Sequence, residues 1–153
     1  MSEGDRILAH YDRAMNGSAW HGDPVWQILD GISAAEAAKR SITHAHTIWE
    51  LVSHLTFWED VAAQRLAGAD VETPDALNFP AMPAPTEEHW QATLTAFRES
   101  NARFREAVRK LQAAQLDELT ARRKRSFYEE AHGLITHNVY HAAQIALMKK
   151  LVR

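Results

Sequence analysis

The chain has 153 residues, 46% hydrophobic and 24% charged, with a formal net charge of -3 and no cysteine. That length suits one domain over residues 1–153 with a real core, and the composition argues against extended disorder. The absent thiols exclude disulfides, thiolate metal sites and a cysteine nucleophile, and without a repeated Lys/Arg face there is no electrostatic footprint for nucleic acid.

No apolar run reaches membrane-spanning length, and the N-terminal "MSEGDRILAHYD" is charged rather than signal-like. The expected location is the cytoplasm, with no membrane partner.

Apolar periodicity predicts an all-α protein, since no stretch alternates cleanly enough for a strand. The first helix runs from about Ser2 to Met15, with Ser2 and Asp5 as a capping-box start and Ile7, Leu8, Tyr11 and Met15 on one side. A connector, Ala19 to Ser41, carries short helices: Pro24 suits a first turn, Gly31 a stop, and Ser33 with Glu36 a further cap. The second long helix opens on a Thr47–Glu50 box and presents Ile48, Leu51, Val52, Leu55, Trp58 and Val61 before Gly68 stops it.

Pro74, Pro80, Pro83 and Pro85 deny residues 69–85 a regular helix and imply an extended crossover, a strap able to cover a pocket. The third helix follows Thr86, carries Trp90, Leu94, Phe97, Phe104 and Val108, and stops near Ala114. The fourth starts on a Ser126–Glu129 box and carries Phe127, Leu134, Ile135, Asn138, His141, Ala142, Ile145 and Met148. Gly133 within it costs about 1 kcal/mol relative to Ala, which suggests close helix contact. Together these elements predict a four-helix bundle with one long crossover.

His137 and His141 are four apart, so on a helix their rings leave one face about 6 Å apart and can converge on one ion. His54, beside Leu51, Leu55 and Trp58 on the second helix, is the candidate third ligand. Three neutral imidazoles suit Zn²⁺, Ni²⁺, Co²⁺ or Fe²⁺ and leave a coordination position open. Spacing alone equally allows histidines with satisfied hydrogen bonds at the edge of an apolar stripe.

"HTIWELVSHLTFWE" (His46 to Glu59) followed by "HGLITHNVYHAAQIALMKK" (His132 to Lys150) resembles the DinB-like superfamily, which includes YfiT-type metal-dependent hydrolases. "WHGDPVWQILDGISAAEAA" and "PAPTEEHWQATL" extend the resemblance over nearly the whole chain. It implies an up-down-down-up four-helix bundle, dimerisation, and a divalent metal held by His54, His137 and His141. Some members are thiol-dependent transferases or isomerases using low-molecular-weight thiols. The segment "RRKRSFYEEAHG" departs from the family pattern, being more highly charged.

The implied function is a metal-dependent hydrolase or thiol transferase acting on a small molecule. The alternative is a non-catalytic, metal-stabilised bundle used for dimerisation or small-molecule binding. His46 and His132 match recurring family positions but lack the helical phase for ligation, which leaves them supporting or capping roles, and His44 and His21 are weaker still. Glu50 is assigned to its capping box and Glu59 to the bundle surface, while Asn138 and Gln144 are polar neighbours of the ligand turn. Trp49, Trp58, Trp90 and Tyr140 read as packing residues. Arg122, Arg123, Lys124 and Arg125 precede a helix N-terminus, where the dipole disfavours them, and read as a solvated turn in preference to an anion-binding or partner-binding patch.

Overall fold

The computed structural model describes residues 1–122 and 124–153 of the chain. Its four long helices are α1 (Glu3–Met15), α4 (Ile48–Leu66), α6 (Glu87–Lys110) and α7 (Phe127–Val152). Short helices α2 (Val25–Leu29) and α3 (Ala34–Ala38) occupy the connector, and α5 (Asp75–Asn78) is one turn within the proline-rich crossover. There is no strand element among the described residues, and none of their helices is long and apolar enough to cross a membrane.

Local chemistry sets the helix starts. Reciprocal capping boxes form at Ser2–Asp5, Ser33–Glu36, Thr47–Glu50 and Ser126–Glu129, so each first turn satisfies amide donors that have no intrahelical partner. Gly31 and Gly68 take left-handed φ values of 67° and 90° where the chain leaves a helix. α6 ends at Lys110, short of the expected stop near Ala114, because Leu111 adopts an extended conformation as the C-cap.

Cross-helix contacts give the topology. Asp12 on α1 meets Arg105 on α6 at 2.6 Å, while Gly4 lies beside the Val108 carbonyl, so α1 and α6 run antiparallel. Trp49 bonds Thr93 and Asp60 bonds Arg103, making α4 and α6 parallel. His54 meets His137 and Arg65 meets Glu130, so α4 and α7 are antiparallel. His10 approaches His132, and Asn138 reaches Met15, so α1 and α7 run together.

The order is therefore up, down, down, up. A parallel α4–α6 pair needs a connection that returns along about 30 Å of helix, and the crossover supplies it. Between the helices lies a core that includes fully buried Tyr11, Trp49, Trp90, Phe97, Phe104, Ile135 and Ile145. Both core tryptophans keep their indole donors satisfied, Trp49 by Thr93 at 2.9 Å and Trp90 by the Ile32 carbonyl at 2.7 Å.

Candidate metal centre

The Thr47–Glu50 box fixes where α4 begins, and Arg40 steadies the Glu50 carboxylate from outside at 2.9 Å. Counting on from that start puts His54 on the buried stripe with Leu51 and Leu55, at 5% exposure. The Ser126–Glu129 box does the same for α7, where His137 and His141 lie about one turn apart. The three histidines offer ligand atoms all within 4.8 Å of one another and could hold a metal ion.

Hydrogen bonds decide which ring nitrogens are offered. His54 Nδ1–H donates to the Asn78 carbonyl at 3.0 Å, because a carbonyl can only accept, and this leaves the lone pair on Nε2. His141 Nδ1–H donates to Gln144 Oε1 at 2.6 Å, with the same consequence. His137 Nε2 lies 3.0 Å from His54 Nε2, and its own Nδ1 is buried without a partner. With no cation between them, His137 donates from Nε2 to His54. A cation held between them would need the lone pair of each Nε2, which requires the His137 proton to sit on Nδ1.

The surroundings favour neutral rings. Burial, then the neighbouring His141 and His54, pushes His137 down to about 4. His54 and His141 are also lowered, chiefly by burial. Imidazoles that resist protonation in this way remain available as ligands. The donor set, its tautomers and its depressed basicity fit a divalent ion such as zinc.

The crossover closes one side. Phe79 lies flat between His46 and His54, with centroid separations of 3.6 Å and 4.4 Å. Asn78 is fixed twice, by His54 at its carbonyl and by Trp58 Nε1, which donates to its Oδ1 at 2.8 Å. Nothing in the sequence distinguished Asn78 or Phe79 beyond their place in a strap expected to cover a pocket. On the other side is a cavity of about 500 Å³ whose lining includes His54, Trp58, Arg65, Asn78, Gly133 and His137.

Glu59 corrects an expectation. Instead of lying at the bundle surface it is fully buried and accepts hydrogen bonds from Tyr11 (2.7 Å), Ser100 (2.9 Å), Asn138 (2.7 Å) and Asn101. Burial pushes its carboxyl up to about 7 against the opposing pull of these donors. This polar knot joins all four long helices and holds Asn138, the neighbour of His137, in register.

The remaining candidates fall outside the cluster. His46 is half-exposed, 3.5 Å from Glu50 and stacked on Phe79, a supporting position. His132 packs beside Tyr128 and His10, about 140° round the helix from His137. His21 and His44 are exposed, the latter with φ 67°. Of the basic run, Arg122 pairs with Asp70 at 3.0 Å, Lys124 is exposed, and Arg123 lies outside the described residues. Arg125 departs from a purely solvated turn, since it lines the cavity. Gly133 makes no close helix contact: a Cβ added there meets nothing within 4 Å, because the position faces the cavity.

Comparison with known proteins matches a model of the DinB superfamily to residues 19–145. Neither the curated proteins nor the solved structures contain a significant match. The family match includes the connector, the crossover and all three histidines, and with it the helical fold and the clustered imidazoles agree: the chain belongs to the DinB superfamily.

Proposed function

We infer that His54, His137 and His141 bind a divalent cation and that the protein is a metal-dependent enzyme, a hydrolase or thiol transferase, acting on a small molecule. The observation that carries this reading is the convergence of three imidazoles, two of which, His54 and His137, line a cavity, with the tautomers of His54 and His141 held by Asn78 and Gln144. A bound Zn²⁺, Ni²⁺, Co²⁺ or Fe²⁺ supplies Lewis acidity and lowers the pKa of a coordinated water or thiol. The protein's part is positional. Asn78 and Gln144 orient the ligand rings, Phe79 and Trp58 shield them from bulk water, and the cavity, of a size typical for small ligands, receives the substrate.

The test is a screen of the metal-replete protein against activated esters and amides, and against electrophiles supplied with glutathione or cysteine, with metal content measured on the same sample. Turnover in the parent protein that disappears in His137→Ala, with the helical circular-dichroism signal retained, supports the assignment. Equal turnover in the two proteins contradicts it. Full metal occupancy without turnover in any assay points instead to a metal-stabilised binding bundle.

A further inference from the structure

The antiparallel α4–α7 pair carries more than the histidines along its groove. Moving away from them, α4 contributes Trp58, Ala62 and Arg65, and α7 contributes Leu134, Gly133 and Glu130, all lining the same cavity. Its far end is cationic. The Arg65 side chain is only 11% exposed and bonds Glu130 at 3.2 Å, yet its Nε–H is buried without a partner. Arg125 reaches the same cavity from the loop before α7 and forms no ion pair among the described residues. Two guanidinium groups and one carboxylate therefore line this end, and the carboxylate, Glu130, bonds only Arg65.

The middle of the groove differs in character. Trp58, Ala62 and Leu134 are apolar, and the missing side chain of Gly133 leaves open space beside them. The Trp58 ring lies 5.8 Å from the Arg65 guanidinium carbon and 6.1 Å from the His137 ring centre. A molecule spanning the groove thus crosses little more than one aromatic ring between the charged end and the imidazoles.

We propose that the substrate is a small carboxylic acid whose carboxylate is held by Arg65 and Arg125, whose apolar segment lies along Trp58 and Leu134, and whose other end meets the histidine cluster. Guanidinium groups match a carboxylate in geometry as well as charge; Arg65 is held in place by Glu130 and the Val71 carbonyl, and Arg125, which forms no ion pair among the described residues, brings its donors to the same cavity. The assignment rests on the metal reading only for the location of the reacting end.

The acid 4-phenylbutanoate and its neutral amide, 4-phenylbutanamide, provide a matched pair of probes for calorimetric titration. The protein is used in chelator-treated and zinc-loaded forms, as the parent, as Arg125→Gln, and as the double variant Arg65→Gln/Glu130→Gln, which removes a buried pair together and strands neither charge. In chelator-treated parent protein the acid is expected to bind about tenfold tighter than the amide. That ratio should fall towards one in both variants. Equal affinity of acid and amide, including no binding of either, overturns the proposal, as does an acid preference that survives both variants. Zinc uptake by the parent and by His137→Ala reports on the metal reading separately: loss of the acid preference with normal zinc binding removes this inference alone, and the converse removes only the metal.

Discussion

His54 Nε2 and His137 Nε2 face each other at 3.0 Å across the α4–α7 interface. The Asn78 carbonyl makes His54 the acceptor in this pair, so the protein presents one ring whose tautomer is fixed and one whose proton must move when a cation enters. On the proposed metal reading, the partners of Nδ1 on His54 and His141 set which nitrogens face the ion, and one of these partners is a side chain that can be altered.

Gln144 is the accessible one, because it holds His141 through its side chain whereas Asn78 holds His54 through the backbone. Gln144→Leu should weaken zinc binding by about 10–100-fold while leaving the helical signal unchanged. Gln144→Glu, which retains an acceptor, should restore it. Equal affinity in all three proteins would show that His141 needs no such support.

His132 gives a contrasting result. It lies on the same helix as the ligand pair but packs towards His10 and Tyr128. His132→Phe should leave zinc affinity and stoichiometry unchanged, whereas His137→Ala should abolish binding. A loss in His132→Phe comparable to that in His137→Ala would mean that the ligand assignment on α7 is out of phase.

Gly133→Ala should stabilise the fold by about 1 kcal/mol, the usual helix-interior difference between the two residues, since the added Cβ meets nothing within 4 Å. Urea denaturation measures it. Destabilisation would reinstate a close helix contact at this position.

Glu59 gives the chain a pH signature. Its carboxyl rises from an ordinary 4.5 to about 7 in the folded state. Between those values the unfolded chain has released the proton and the folded chain retains it, so this group's contribution to stability falls as pH increases across that interval and is constant above it. Subtracting the stability of Glu59→Gln from that of the parent at each pH should reveal this decline. A difference that is flat, or rises with pH, would contradict it. Glu59→Ala removes the acceptor from four donors and is expected to cost about 3 kcal/mol or more.

The residues readable in the sequence share a physical property: their interactions span three or four positions. Ser2–Asp5, Thr47–Glu50 and Ser126–Glu129 announce helix starts because both halves of each box lie within one turn. His137 and His141 announce a common face for the same reason. Glu59 was misplaced because its partners are 41 to 79 residues away, and only the assembled bundle shows that a carboxylate can be fully satisfied there. Gly133 was misread because a glycine facing a cavity and one facing a neighbouring helix look identical in sequence. Asn78 acts mainly through its carbonyl, which every residue possesses, and Arg125 joins the cavity only because of how its loop meets α7.

If three imidazoles from α4 and α7 hold one cation, zinc uptake must need all three. Calorimetric zinc titration of chelator-treated protein, with His54→Ala, His137→Ala and His141→Ala alongside, tests it most directly. One zinc per chain is expected in the parent, with at least about 100-fold weaker binding in each variant, the scale expected on losing one of three ligands. Undiminished affinity in any one variant, or no uptake by the parent, would contradict it.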